Sequence, residues 1–233
     1  MSPKLTTRTA GPRRGTATTA EGRATVGRIL DVTRDILTHA DAGELSMRNV
    51  ATRAGLHLAN VQYYFPTRED LVHAFIAETG ERYQRAYDAL MSEAGDDALQ
   101  RFVAIVRFNL EDVYKTETRA LFVQLWALLN ELDAHTGRLL GELYAINIGQ
   151  LGRALAAVDP SLHPDEIARR TTLIAALTEG MMVVRGPQPA GTAEADRLIE
   201  RAFALAMRIA GVDGAEGSTA ASLSASRKAR RSR

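Results

Sequence analysis

The 233-residue sequence contains no cysteine, and this absence excludes several kinds of site. Disulfide scaffolds, zinc sites with thiolate ligands, iron–sulfur clusters and cysteine nucleophiles all need a sulfur that the chain does not have. The sequence also lacks an apolar run long enough to span a membrane, and its polar start has no signal-peptide apolar stretch. We therefore expect a soluble, cytoplasmic protein without a membrane partner.

Motifs of catalysis are equally scarce. No two of the five histidines are four residues apart, the spacing at which one helix face presents two of them to a metal ion. There is no glycine-rich phosphate loop, no Gly-x-Ser-x-Gly elbow and no His-Glu-x-x-His motif. The sequence therefore predicts no metal, no cofactor and no catalytic residue, and a helical enzyme is only a remote alternative.

Charge is balanced over the whole chain, with 29 Lys+Arg against 28 Asp+Glu, but it is unevenly distributed. Residues 1–28 contain six basic residues and one acid, and residues 212–233 contain five basic residues and two acids. The segments 1–22 and 212–233 have too few large apolar residues to bury a core, so we expect disordered basic arms there. Such arms suit either a polyanionic partner or a merely solubilising role.

Between the arms, apolar residues recur every three or four positions, which is the spacing of one helix face. Pro66 and Pro160 enclose a long interval without proline, which argues against many short strands joined by turns. The fold class is therefore predicted to be all-α with about nine helices. Their predicted ranges are 24–40, 46–53, 57–63, 67–92, 97–115, 118–133, 136–158, 164–185 and 193–210.

Residues 46–65 carry the most specific pattern in the sequence. Ser46 is suited to cap a short helix, and the spacing from Ala51 to Gly55 is typical of a tight helix–helix turn that buries Leu56. The helix after this turn exposes a mixed face: His57, Leu58, Asn60, Gln62 and Tyr63. Because amide side chains pair with adenine and apolar groups contact the thymine methyl, the pattern predicts a helix-turn-helix that reads DNA.

The run from Ala51 to Leu71 resembles the TetR family of bacterial transcriptional regulators, with similarity over roughly residues 24–75. The resemblance implies a DNA-binding domain of three helices at 23–70 and a ligand-binding and dimerisation domain at 71–211. It also implies the residues that contact DNA: Ser46, Arg48, His57, Leu58, Ala59, Asn60, Gln62, Tyr63, Tyr64 and Arg68. His57 stands where the family usually has Ser or Thr, and Gln62 where Tyr is frequent, so the phosphate contacts there are expected to differ.

Two asparagines, Asn109 and Asn147, lie on otherwise apolar helix faces of the predicted large domain. A buried amide needs a hydrogen-bond partner, so each one either bonds to another helix or a buried water, or orients a ligand in a mostly apolar cavity. The second alternative gives a candidate site for a small, largely apolar effector. Its residues are Phe102, Asn109, Trp126, Tyr144, Asn147 and Met181.

The last two long helices carry apolar stripes, and Gly180 on one stripe permits another helix to approach closely. The resemblance implies that these helices form a four-helix interface with a second copy of the chain. The predicted interface residues are Leu173, Leu177, Gly180, Val184, Leu198, Ala202 and Leu205. Two recognition helices would then lie about 34–36 Å apart on a palindromic operator.

The sequence thus predicts a homodimeric one-component regulator, usually a repressor in this family, that binds double-stranded operator DNA and is released by an effector. The alternative is a ligand-independent DNA-binding dimer whose large domain serves only dimerisation. Within residues 23–70 the six arginines are matched by six acids, so the placement of Arg48 and Arg68 must matter more than net charge. We also expect the N-terminal arm to add a salt-sensitive part of the affinity.

Overall fold

The structure is a computed structural model that describes residues 19–129, 134–185 and 191–212. Nine α-helices and one 3₁₀ turn (Ala42–Glu44) make up the regular structure of these ranges, which contain no strand, so the predicted all-α fold is confirmed. The helices are α1 (Ala20–His39), α2 (Met47–Ala54), α3 (Leu58–Tyr64), α4 (Arg68–Glu93), α5 (Ala98–Asp112), α6 (Thr116–Leu129), α7 (Ala134–Val158), α8 (Pro164–Val184) and α9 (Ala193–Ala210). Among them, none combines the length and the apolar character needed to cross a membrane.

The observed helix bounds differ from the predicted ones by a few residues. The largest difference at a helix start is in α1, which begins at Ala20 because the Thr19 hydroxyl accepts a hydrogen bond from the Gly22 N–H at 3.0 Å. Residues 20–22 are therefore helical and do not belong to the disordered arm predicted for 1–22. The rest of that arm and nearly all of the predicted tail, residues 1–18 and 213–233, lie outside the described residues.

The chain forms two compact units. The first unit is Met1–Arg82 with Ala120–Leu143, and the second is Tyr83–Arg119 with Tyr144–Arg233. Helix α4 continues unbroken through residues 70 and 71, where the domain boundary is predicted, and contributes residues to both units. That boundary stays a prediction.

In the first unit, α2 packs on both α1 and α3. The core side chains of this unit are buried to 8% exposure or less and include Ile29, Ile36, Leu37, Val50, Val61, Phe65, Leu71 and Phe75. Fully burying one such side chain contributes about 1.5–3 kcal/mol. This small cluster therefore fixes the orientation of α3, whose one buried residue is Val61.

In the second unit, α9 packs on α5 and α8. Its core includes Phe102, Ile105, Val106, Leu151, Leu155, Ile174, Phe203 and Met207. The Arg107 guanidinium fastens α5 to α9, since it lies 4.0 Å from the ring centroid of Phe203 and donates two hydrogen bonds to Glu200 at 2.8 and 3.1 Å. The apolar stripes predicted for α5 and α9 thus face a common interior.

Candidate functional site

The turn between α2 and α3 has the geometry that the sequence predicts. Gly55 adopts the left-handed conformation, with φ 65° and ψ 35°, in which a side chain would be strained. The N–H groups of Gly55 and Leu56 donate to the carbonyls of Thr52 at 3.2 Å and Ala51 at 2.9 Å, which terminates α2. Leu56 is half-buried and not buried as predicted, because it borders an open groove between α1 and α3.

The two short helices start differently. The Ser46 hydroxyl accepts a hydrogen bond from the Asn49 N–H at 3.2 Å and caps α2 as predicted. His57 stands at the same position of α3 and makes no side-chain hydrogen bond to the helix. The first N–H groups of α3 therefore have no capping side chain, and the imidazole is exposed.

The outer face of α3 is exposed and polar. Tyr63 is 63% exposed and its ring packs edge-on against Tyr64, with 5.0 Å between the centroids. Asn60 and Gln62 are exposed, and among the described residues their side-chain amides have no hydrogen-bond partner. Ala59 is also exposed, whereas Leu58 and Tyr64 are half-buried and Phe65, at 4% exposure, belongs to the core. The helix therefore presents unpaired donors and acceptors of the kind that read base edges.

A groove of about 460 Å³ lies between the start of α1 and the face of α3. Its walls include Thr25 and Arg28 from α1 together with Asn60, Tyr63 and Tyr64 from α3. Arg28 is exposed and has no acidic partner within the described ranges. Sequence reasoning missed Thr25 and Arg28, because they come next to α3 only through the packing of α1 beside it.

Several acids of the first unit are paired with arginines of the same unit. Asp31 pairs with Arg82 at 2.7 Å, and Arg53 bonds to Asp35 at 3.4 Å and to Glu44 at 3.2 Å. Arg53 therefore links α2 to α1 and to the 3₁₀ turn. The Asp31–Arg82 pair shows that the balance of charge within residues 23–70 does not require each arginine there to be paired with an acid of the same range.

Arg48 on α2 shows the opposite environment from Arg53. It is exposed, and no described residue forms an ion pair or hydrogen bond with its guanidinium. Arg48 is therefore available to an anionic partner.

Arg68 at the start of α4 is half-buried. Thr67 and Asp70 beside it form a reciprocal cap, with N–H···O distances of 3.1 and 3.0 Å.

The second unit contains a polar chain that links three helices. The Tyr87 hydroxyl donates to Asn109 Oδ1 at 2.7 Å, and Asn109 Nδ2 donates to Asn147 Oδ1 at 2.9 Å. The two asparagines singled out in the sequence thus meet each other, which is the interhelical hydrogen bond of the first alternative. This pairing satisfies amide groups that would otherwise cost about 1–3 kcal/mol each on burial.

Beside this chain lie two carboxyl groups. The Tyr83 hydroxyl donates to Asp112 Oδ2 at 2.7 Å, and Lys115 Nζ lies 2.8 Å from Asp112 Oδ1. The Tyr144 hydroxyl donates to Glu179 Oε2 at 3.4 Å. Burial, with a smaller contribution from the charge of Asp112, raises the pKa of Glu179 from 4.5 to about 7. Burial and the neighbouring Asp112 also raise the pKa of Tyr83 and of Tyr87.

The remaining ligand-site candidates lie on three different helices. Phe102 on α5 is 0% exposed and forms part of the core of the second unit. Met181 is half-buried on α8. Trp126 lies on α6 in the first unit and is half-buried. Sequence reasoning missed Tyr83, Phe108, Asp112 and Glu179, since nothing in the pattern of a single helix marks them.

The outer faces of α8 and α9 carry four of the six large apolar side chains that are exposed among the described residues: Leu173, Val183, Val184 and Leu205. The predicted interface residues Leu177, Gly180 and Leu198 are half-buried. Among the described residues, no atom outside the backbone of α8 and the chain neighbours of Gly180 lies within 4 Å of the position that a Cβ on Gly180 would occupy. Ala202 departs from the prediction: it is 5% exposed and lies on the inward face of α9 with Phe203 and Ala206.

No cluster of three or more histidine or acidic side chains suited to a metal ion occurs in the described part of the chain. No family model matches the sequence. A transcriptional regulator of helix-turn-helix type from Xanthobacter autotrophicus, encoded in the dhlA 5′ region, is 32% identical over 117 residues. This match spans 48% of the present chain and 56% of the relative, about half of each protein.

Solved structures share the fold over most of its length. A TetR transcription regulator from Haloarcula marismortui has a TM-score of 0.63 and 17% identity, covering 81% of the present chain and 97% of that structure. A protein from Saccharomonospora viridis, described as a transcriptional regulator and solved in complex with choline, has a TM-score of 0.58 and 18% identity. Here the similarity covers 77% of the present chain and 94% of the other.

Proposed function

Because the chain has the fold of the TetR family of transcriptional regulators, as the run from Ala51 to Leu71 predicted, we propose that it regulates transcription by binding operator DNA. The observation that carries this proposal is the outer face of α3, where Asn60 and Gln62 have exposed amides without a described partner. The two exposed amides and the 63% exposed ring of Tyr63 on this seven-residue helix are groups that can reach base edges. The other residues predicted to contact DNA remain part of the proposal.

Arg28 and Arg48 are proposed to contact the phosphate backbone. Both guanidinium groups are exposed and have no acidic partner in the described ranges, whereas Arg53 on the same helix as Arg48 is held by two acids. Contacts to phosphate position a protein on the duplex, and contacts to base edges specify the sequence. We assign Asn60 and Gln62 to the second role.

We further propose that the protein acts as a homodimer through α8 and α9. The support is the apolar stripe on their outer faces, where Val184 is 86% and Leu173 is 57% exposed. The open space above Gly180 leaves room for the close approach of another helix. A two-fold dimer would present two copies of α3 to a palindromic operator.

A small-molecule effector that releases the DNA, and hence a repressor role, completes the proposal. Its support is the neighbour from Saccharomonospora viridis, which was solved with choline. The alternative of a ligand-independent dimer predicts that no effector changes DNA affinity, which a mobility-shift assay with a metabolite panel decides. We also propose that the protein is cytoplasmic, where it would bind operator DNA. The proposed role is regulatory and includes no catalytic step.

Paired substitutions on α2 and α3 test the DNA-binding assignment. Arg48→Ala should weaken binding to all duplex sequences alike and lower the slope of log K against log salt by roughly 1. The matched control Arg53→Ala removes an arginine from the same helix but should leave this slope unchanged. Fluorescence anisotropy with labelled duplex DNA at several salt concentrations measures both.

The α3 residues should behave differently from Arg48. Gln62→Ala should change the preferred base at one position of each half-site, with a discrimination loss of about 1–3 kcal/mol, and leave the salt slope intact. Equal affinities and slopes for wild type, Arg48→Ala and Gln62→Ala would refute the proposed interface.

A further inference from the structure

Two carboxyl groups, those of Asp112 and Glu179, lie beside the polar chain of the second unit and accept hydrogen bonds from tyrosines. Asp112 on α5 and Glu179 on α8 are close enough for the charge of Asp112 to disfavour ionisation of Glu179. Lys115 neutralises Asp112 at 2.8 Å. Among the described residues Glu179 has no cationic partner, and its only hydrogen bond comes from the Tyr144 hydroxyl at 3.4 Å. A ligand with one positive charge would therefore give Glu179 the cationic partner that it does not have among the described residues.

Aromatic residues lie beside both carboxyl groups: Tyr83 is bonded to Asp112, and Tyr144 is bonded to Glu179. Tyr83, Tyr87 and Phe108 form a three-ring cluster, with centroid separations of 6.4 Å from Tyr83 to each of the other rings and 5.5 Å between Tyr87 and Phe108. Both contacts of Phe108 are T-shaped. The faces of such rings carry partial negative charge and attract ammonium groups.

Lys115 supplies an example of an ammonium group bound by a carboxylate and an aromatic ring of this cluster. Its Nζ is bound to Asp112 and lies 5.9 Å from the ring centroid of Phe108, so a carboxylate and an aromatic ring act on one positive charge. The Lys115 side chain is 56% exposed, and the Asp112 side chain is 11% exposed. A flexible, exposed lysine can move away and leave Asp112 to another cation.

The cluster is not closed off within the chain. Tyr83, Phe108, Tyr144 and Glu179 are each only half-buried. The Tyr83 hydroxyl is bonded to Asp112, and the Tyr144 hydroxyl to Glu179. Accessible surface therefore remains on residues from α4, α5, α7 and α8. A neutral apolar ligand there would leave the Glu179 carboxyl group without a charged partner, and an anionic ligand would be repelled whenever Glu179 is ionised.

We infer that the effector carries a protonated or quaternary amine, which Glu179 and Asp112 bind as counter-charges beside the rings of Tyr83, Tyr87 and Phe108. This inference rests on the proposed function, since it names the ligand class of the regulator's second unit. It also refines the largely apolar effector expected from the sequence, because the apolar part of the ligand is now joined to a cationic head.

Calorimetric titration of the full-length protein with three pairs of amines and neutral isosteres tests the inference. The pairs are choline with 3,3-dimethylbutan-1-ol, phenethylamine with 2-phenylethanol, and 1,5-diaminopentane with 1,5-pentanediol. At least one amine should bind ten times more tightly than its neutral partner. Equal affinities within all three pairs would overturn the inference.

Two substitutions with opposite expected effects identify the site. Glu179→Gln should weaken binding of the preferred amine at least tenfold, and Lys115→Gln, which frees Asp112, should strengthen it about threefold. Glu142→Gln, an exposed position on α7, is the matched control and should leave the affinity unchanged. Unchanged affinity in both site variants would place the amine elsewhere and reject the assignment. If Glu179→Gln does not fold, the gain in Lys115→Gln decides.

The amine titrations are done without DNA, so they test the inferred ligand class independently of the proposed DNA binding. A protein that binds duplex DNA but prefers no amine keeps its regulatory role and loses the inferred ligand class. A protein that binds an amine through Glu179 but no DNA keeps the ligand site and loses the regulatory role.

Discussion

The two units differ in whether each acid between their helices has a cationic partner. In the first unit Asp31, Asp35 and Glu78 are paired with Arg82, Arg53 and Arg34, so the charges between its helices are satisfied inside the unit. In the second unit Glu179 has no cationic partner among the described residues. The comparison teaches that the outward groups Arg48, Asn60 and Gln62 have no partner among the described residues, as the proposed DNA contacts require, whereas the unpaired Glu179 of the second unit fits the inferred cation.

The strongest test of the comparison places a new charge in the core of the first unit. Val61 is 0% exposed, so Val61→Asp should destabilise the first unit by about 3–5 kcal/mol and abolish DNA binding. Binding of an amine to the second unit should survive, as calorimetry can show. Gln62→Asp, at the neighbouring exposed position, controls for the added charge and should leave the thermal unfolding temperature unchanged.

A second test breaks the polar chain of the second unit. Asn109→Leu leaves the Tyr87 hydroxyl and the Asn147 amide without their partners and should cost about 2 kcal/mol of unfolding free energy in urea. The double variant Asn109→Leu/Asn147→Leu should cost clearly less than the sum of the single changes, since the same bond is lost in each. Strict additivity would show that the two amides do not depend on each other.

The pH dependence of stability gives a third test. Because burial raises the pKa of Glu179 to about 7, the folded state holds its proton more tightly than the unfolded state. This contribution to stability is complete below pH 4.5 and is lost as the pH rises through 7. Since Glu179 is partly exposed, we expect a loss of about 2 kcal/mol relative to Glu179→Gln across this window. The raised pKa would be contradicted if the unfolding free energies of the wild type and Glu179→Gln, measured in urea, changed equally with pH across this window.

The smallest effects concern the caps of α2 and α3. Ser46→Ala should lower the stability of the first unit by about 1 kcal/mol, because α2 loses its capping hydroxyl. His57→Ser should raise it by about 0.5–1 kcal/mol, because α3 has no capping side chain now. Thermal unfolding followed by circular dichroism measures both, and changes of equal sign would contradict the contrast between the caps.

Local features were predictable from the sequence because they depend on neighbouring residues. The left-handed Gly55, the capping Ser46 and the apolar faces of α5 and α9 all follow from spacing within one helix or turn. Ala202 was assigned to the wrong face because α9 is apolar on more than one side, and periodicity alone does not say which side meets the core.

The ligand chemistry was not predictable, because it is assembled from distant parts of the chain. Tyr83, Asp112, Tyr144 and Glu179 come from four helices, and each looks like an ordinary surface or core residue in its own segment. Only packing brings Glu179 close enough for Asp112 to affect its ionisation. The same holds for Arg28, which reaches the groove beside Asn60 through the contact of α1 with α3.

Selection of bound sequences from random duplex DNA by the full-length protein tests the central claim most directly. The account predicts a palindrome whose half-site centres are separated by about one helical turn, roughly 10–10.5 base pairs. It also predicts that Asn60→Ala and Gln62→Ala alter the selected bases within each half-site. A selected pool without an enriched sequence, or an enriched sequence that neither substitution changes, would contradict it.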